Sequence, residues 1–252
     1  KNLLEGATDL VTPVQFSYDG TEWNKVTYDP YGRLKSYSER KTEVSTDPSL
    51  PLYATTTTNR SGISYDLSTG QMTGYTETTD RDGQAKTQTT RSGITYNTLG
   101  QIKYYQDVLT NLEGATDLIT TVAFGYDGVQ QVLPTYDTKG RLLSYTEYKI
   151  EDDNDKTKDL NNDKDTDDLT VSTLTVRESI AYDPVTGQMT GYTETQAKDN
   201  QSTTAIREDI VYNLLGQIKS YTDTITSTLT PGLTQTITFI ADFPDSYNDK
   251  GQ

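Results

Sequence analysis

The chain has 252 residues, 32% hydrophobic and 10% aromatic, with a formal net charge of −15 and neither cysteine nor histidine. Without Cys or His there is no disulfide, thiolate nucleophile, imidazole base or thiolate or imidazole metal ligand. The acidic balance argues against a nucleic-acid partner, which needs clustered Lys and Arg, and no apolar run approaches the ~18 residues that span a membrane as a helix. Among the aromatics, 19 Tyr stand against 4 Phe and 1 Trp. With abundant Thr, that is the composition of pleated, half-wet surfaces, where a ring or methyl packs and a hydroxyl faces water.

From the N-terminus, "NLLEGATDL" (2–10) is the best helix candidate, and it is too short to stand alone. Next comes "TYDPYGRLKSY" (27–37), which returns as "SYDLSTGQMTGY" (64–75), "TYNTLGQIKYY" (95–105) and "TYDTKGRLLSY" (135–145). It recurs again as "AYDPVTGQMTGY" (181–192) and "VYNLLGQIKSY" (211–221), with a shortened "SYNDKGQ" at 246–252. The lead residues follow the order Asp, Asp, Asn and then repeat it, so three units form a superrepeat of about 110 residues. "NLLEGATDLVT" (2–12) matches "NLEGATDLIT" (111–120), and "GQMTGYTET" occurs unchanged at 70–78 and 187–195. The boundaries expected are 1–110 for the first superrepeat, 111–228 for the second, and 229–252 for the start of a third. That third part, "TQTITFIADFPDSYNDKG" (234–251), follows the plan of 117–140, and a longer parent chain is expected.

Each unit reads as a hairpin. In "YDPYGRL", Asp29 caps its own backbone, Pro30 presets φ, and Gly32 takes the corner with positive φ, giving a type I turn with a glycine bulge. The equivalent pairs are Asp66 and Gly70, Asn97 and Gly100, Asp137 and Gly140, Asp183 and Gly187, and Asn213 and Gly216. Apolar residues at alternate positions flank the turns, so the lead residues Tyr28, Tyr65, Tyr96, Tyr136, Tyr182 and Tyr212 are expected to form one ladder. Tyr37, Tyr75, Tyr105, Tyr145, Tyr192 and Tyr221 fall on the opposite face as a second, each ladder stacking across strands. The fold class is therefore all-β: an antiparallel hairpin meander in an elongated repeat array, coiled or shell-like, with three hairpins per superrepeat.

At these residues the chain resembles the YD-repeat (RHS-repeat) proteins, whose signature Tyr-Asp-x-x-Gly-Arg-Leu is matched in full by "YDPYGRL" and "YDTKGRL". "YNTLGQI", "YNLLGQI" and the "YDxxTGQM" pair are looser variants. The resemblance implies an extracellular β-sheet of hairpins that coils into a superhelix or shell, used for adhesion or to enclose a toxin. The unit spacing here is longer than is usual in that family, and the ordered superrepeat points to a fibre or stalk.

Three patterns are candidates for binding. "EDDNDKTKDLNNDKDTDD" (151–168) alternates carboxylates, and Asp153, Asp155, Asp159, Asp163, Asp165 and Asp167 carry the oxygen ligands calcium requires. A solvated acidic loop accounts for the same run. Thr-x-Thr runs such as "TDTITST" (222–228) could order water, though β propensity explains them, and Tyr rows could stack on a sugar or serve cross-strand packing alone. No catalytic constellation stands out, so no enzyme is expected, and no cofactor beyond Ca2+ at the acidic loop. The function expected is a structural segment of a large extracellular bacterial protein, forming a stalk, fibre or sheath. The alternatives are an adhesin-type module for a glycan, a surface protein or calcium, and the wall of a toxin-enclosing shell. Expected partners are further copies of the repeat and self-association through sheet edges; the expected location is extracellular or at the bacterial surface.

Overall fold

The structure, a computed structural model, describes residues 10–22, 26–45, 53–112, 118–153, 170–198, 201–213, 216 and 218–241. It is all-β, with no helix among those residues. The chain divides into two units, Lys1–Val122 with Glu151–Thr170, and Ala123–Ile150 with Val171–Gln252.

The first unit contains β1 (Leu10–Val11), β2 (Val14–Phe16), β3 (Val26–Tyr28), β4 (Leu34–Ser45), β5 (Tyr53–Tyr65), β6 (Met72–Arg81), β7 (Thr87–Tyr96) and β8 (Ile102–Asn111). Its strands lie side by side in chain order from β4 to β8, with β1, β2 and β3 on the outer edge of β4. β9 (Leu118–Phe124) runs from the first unit into the second. Beyond it come β10 (Thr135–Tyr136), β11 (Leu142–Asp153), β12 (Thr170–Tyr182), β13 (Met189–Lys198), β14 (Gln201–Tyr212), β15 (Ile218–Ser227) and β16 (Thr234–Ile240). β11 to β16 again pair in chain order, and β10 pairs with β11. The hairpin strands pair antiparallel, as short connecting turns require.

Thr and Tyr explain the strands, and the thin core follows from the same residues. Among the described residues each long strand touches only its sheet neighbours, and no side chain is fully buried. The most enclosed apolar residues are Ile63, Ile94, Ile180 and Ile210 with Ala54, Ala123, Phe124 and Ala241. Each of those four isoleucines sits in a β-bulge, where the register slips by one residue: between Ser61 and Ser64, Ser92 and Thr95, Glu178 and Ala181, and Glu208 and Val211. Burying each contributes about 1.5–3 kcal/mol at most. A meander with so little interior needs other cross-strand contacts, and the hairpins supply them.

Candidate functional site

The turn is built by one side chain and one glycine. Asp29 N–H donates to Arg33 O (2.8 Å), Gly32 N–H donates to Asp29 O (3.0 Å), and Gly32 has φ 76°. Asp29 Oδ1 accepts the N–H of Tyr31 and of Arg33, and Oδ2 accepts Arg33 Nε at 2.7 Å. Asp137 repeats this with Lys139 and Arg141, and Gly140 has φ 83°.

In the five-residue loops, Asp66 Oδ1 accepts from Ser68 and Thr69 through backbone and hydroxyl alike, and Asp183 Oδ1 accepts the backbone N–H of Val185 and both the N–H and the hydroxyl of Thr186. The Ser68 hydroxyl and then the Thr69 donors hold the Asp66 carboxyl down at about 2. Gly70 and Gly187 close these loops at φ 73° and 75°. In the third hairpin the acid becomes an amide and its partner changes with it. Asn97 Oδ1 accepts from Leu99 and Gln101, while Asn97 Nδ2 donates to Gln101 Oε1. In the shorter turns Asp29 and Asp137 therefore go with Arg33 and Arg141 and Asn97 with Gln101, whereas the five-residue loops set Asp66 and Asp183 before Gln71 and Gln188. Gly100 and Gly216 again have positive φ, and the Gly216 N–H donates to Asn213 O at 3.0 Å.

The lead tyrosines clamp hairpin to hairpin. Tyr65 donates its hydroxyl to Leu34 O (2.7 Å), Tyr96 to Met72 O (2.9 Å), Tyr182 to Leu142 O (2.8 Å) and Tyr212 to Met189 O (2.8 Å). Each acceptor lies just past the turn of the preceding hairpin. Arg33 covers the Tyr65 ring and Arg141 the Tyr182 ring, 4.5 and 4.3 Å from the centroids. Tyr28 stands 61% exposed at the edge of its turn, and burial raises the Tyr136 hydroxyl above its ordinary value.

The second Tyr row does not stack ring on ring along its length, as the sequence suggested; guanidinium groups are interleaved with the rings. In the first unit Phe16 meets Tyr37 at 5.3 Å. Arg60 then lies between Tyr37 (5.5 Å) and Tyr75 (4.2 Å), and Arg91 between Tyr75 (5.8 Å) and Tyr105 (3.9 Å). In the second, Phe124 meets Tyr145 at 5.6 Å, Arg177 lies between Tyr145 and Tyr192, and Arg207 between Tyr192 and Tyr221, which Phe239 closes at 5.0 Å. Every interleaved arginine also pairs with a carboxylate directly across the next strand: Arg60 with Glu77, Arg91 with Asp107, Arg177 with Glu194 and Arg207 with Asp223. The Asp107 and Asp223 hydrogen bonds raise Arg91 and Arg207 above the ordinary guanidinium value, and burial raises Tyr37 and Tyr145.

The arginines and their acids escaped the sequence reading although a signal was there. Arg60, Arg91, Arg177 and Arg207 each stand five positions before a lead Tyr. Glu77, Asp107, Glu194 and Asp223 each stand two positions after a Tyr of the second row.

Of the calcium candidates, Asp155, Asp159, Asp163, Asp165 and Asp167 lie outside the described residues, and so does the side chain of Asp153 at the end of β11. Among the described residues no three acidic side chains come together as a metal cluster. In the second unit an open depression of about 540 Å³ is bordered by Ser179, Gly191, Ile206, Glu208, Asp209 and Val211. Comparison with known proteins finds no matching family model, no matching curated protein and no matching solved structure.

Proposed function

We propose that the chain is a structural repeat segment of a large extracellular bacterial protein of the YD-repeat kind, forming a stalk, fibre or sheath. The observation that supports this reading is the identity of the inter-hairpin contacts. In both units the same Tyr-to-carbonyl clamp and the same Tyr–Arg–Tyr sandwich recur from hairpin to hairpin. A repeated contact joins units in series, so stability is a sum of unit and neighbour contributions, and mechanical continuity needs no single site. Charge-assisted contacts also tolerate water on both faces of a thin sheet.

Electron microscopy of the intact protein tests the reading. Each superrepeat adds about six strands at ~4.8 Å spacing, so a filament is expected to show an axial repeat near 29 Å. A compact hollow particle would overturn the filament and favour an enclosing wall.

A further inference from the structure

Two kinds of strand interface alternate along the chain. In the first unit β5 with β6 and β7 with β8 are hairpins, closed by the Asp66 and Asn97 turns, while β4 with β5 and β6 with β7 are seams between hairpins. In the second, β12 with β13 and β14 with β15 are hairpins, and β13 with β14 is a seam.

The hairpin ladders continue past the bulge to the lead Tyr. β7 and β8 pair from Thr87 opposite Asn111 to Tyr96 opposite Ile102, β5 and β6 end at Tyr65 opposite Met72, and β14 and β15 at Tyr212 opposite Ile218. These seams stop short of the bulge, each at a second-row Tyr opposite an Arg: Tyr37 and Arg60, Tyr75 and Arg91, Tyr192 and Arg207. Beyond that pair the lead Tyr hydroxyl supplies a bond across each seam, from Tyr65, Tyr96 and Tyr212. The open depression beside Gly191, Asp209 and Val211 lies in this stretch of the β13–β14 seam.

The charged contacts are as one-sided as the ladders. The carboxylate partners of Arg60, Arg91, Arg177 and Arg207 all lie inside the arginine's own hairpin. Each guanidinium also stands nearer the ring of its own hairpin than that of the preceding strand. The distances are 4.2 against 5.5 Å for Arg60, 3.9 against 5.8 Å for Arg91, 4.3 against 5.5 Å for Arg177 and 3.7 against 5.6 Å for Arg207. A bridge that does cross a seam, Arg81 to Glu43, leaves its arginine 41% exposed, and water screens it. The hairpin interior is the stronger interface and the seam the weaker.

Strands lie in chain order within each unit, so a pull on the chain ends loads these interfaces one after another. A strand peeled from its hairpin partner meets the stronger interface, and the seam that follows yields at the load already reached. We propose that the chain is an extensible tether: under tension it lengthens one hairpin at a time, and the hairpins dock again when tension falls. Redocking is local, because the ladders join only neighbouring strands. The inference deepens the structural-repeat reading and takes from it only the presence of a load.

Force spectroscopy on the 252-residue chain, held by its two ends, tests it. Lead tyrosines stand 30 to 46 residues apart, so each step is expected to release about 90–150 Å, and single strands would release about half of that. A second pull after relaxation should repeat the train of peaks. Arg91→Met weakens one hairpin interior and should raise the rupture rate of one step about tenfold at constant force. Should that variant misfold, Arg91→Lys keeps the charge without the forked pair and should act in the same direction. Tyr96→Phe removes a seam bond and should leave every peak unchanged. One rupture releasing the whole chain, strand-sized steps, a featureless second pull, or a loss from Tyr96→Phe equal to that from the Arg91 variants would each overturn the tether. A filament whose chain yields in one event would remove this inference alone. Hairpin-sized steps in a chain whose intact protein is a hollow particle would remove only the filament reading.

Discussion

The two units solve one backbone problem with different residues. Gly62 and Gly93 occupy the bulges of β5 and β7 at φ 61° and 65°; their counterparts in β12 and β14, Ser179 and Asp209, both have φ 55°. The local sequences are "RSGI" at 60–63 and 91–94 against "RESI" at 177–180 and "REDI" at 207–210. At the corner after β2 and β9 the roles reverse, Ser17 at φ 67° against Gly125 at 74°. A left-handed residue without glycine costs about 1–2 kcal/mol, so the conformation is imposed by the surrounding ladder and not by the local residue. A neighbour accounts for the glycine at Gly93, while a Cβ on Gly62 would meet nothing within 4 Å. A Cβ on Gly93 would stand 3.3 Å from the Tyr104 ring, whereas the position of Tyr104 in the second unit is Ser220, which pairs across from Val211 beside Asp209.

What the units share can be broken hardest. Gly74 and Gly191 lie opposite the bulges, and a Cβ there would meet the carbonyl oxygen of Arg91 or Arg207 at 2.8 or 2.7 Å. Gly74→Val and Gly191→Val should each cost about 2–3 kcal/mol, since a backbone neighbour cannot swing aside. Urea unfolding followed by circular dichroism measures this, and an unshifted midpoint for both would mean the strands approach less closely than described. Arg91→Met and Arg207→Met come next, at about 2 kcal/mol. Each removes a charge-assisted pair and a ring contact and leaves a carboxylate behind. The Arg207 variant should suffer more, because Asp223 is more enclosed than Asp107 (side chains 13% against 17% exposed). Equal losses would mean the packing of the acid does not matter.

The turns were legible in the sequence and the ladder was not, for a physical reason. Asp-x-x-Gly acts on its own backbone within five residues, so Asp29 and Gly32 could be placed without knowing anything distant. An Arg between two rings depends on three strands at once. Arg91 needs Tyr75 on β6 and Tyr105 on β8, and a one-residue slip of either would separate them. The bulge sets that register, and "RSGI" announces it through Gly, whereas "RESI" and "REDI" conceal it behind residues that usually avoid positive φ. The all-β meander needed only the alternation flanking each turn.

Exchanging the bulge residues sharpens the comparison at a smaller scale. Asp209→Gly should stabilise the second unit by about 0.5–1 kcal/mol by relieving positive φ, less the entropy glycine adds to the unfolded chain. Gly93→Asp should destabilise the first by about 1–2 kcal/mol, and the loss should shrink when Tyr104→Ser is added. A double-mutant cycle in urea reads this coupling directly. If Gly93→Asp costs the same with and without Tyr104, the Tyr104 ring plays no part in choosing glycine there.

The smallest effect distinguishes hairpins within a unit. Asp66 is held at about 2 by the Ser68 hydroxyl and the Thr69 donors, and Asp183 is lowered by the Thr186 donors. A folded value below the unfolded ~3.9 contributes stability that is present above pH 4 and lost as pH falls toward the folded value. Burial instead raises the Tyr145, Tyr182 and Tyr212 hydroxyls, so their contribution is present below about pH 10 and lost as pH climbs through the raised values. With no histidine in the chain, the unfolding midpoint should be level from about pH 5 to 9 and fall on both sides. Asp66→Asn copies the residue type of the third hairpin, where Asn97 accepts the same backbone bonds without a charge, and should flatten part of the acid limb only. An acid limb as steep in Asp66→Asn as in the parent would place the titrating carboxylates elsewhere in the sheet, with Asp82, lowered by the Thr55 hydrogen bonds, and Asp183 as the next to substitute.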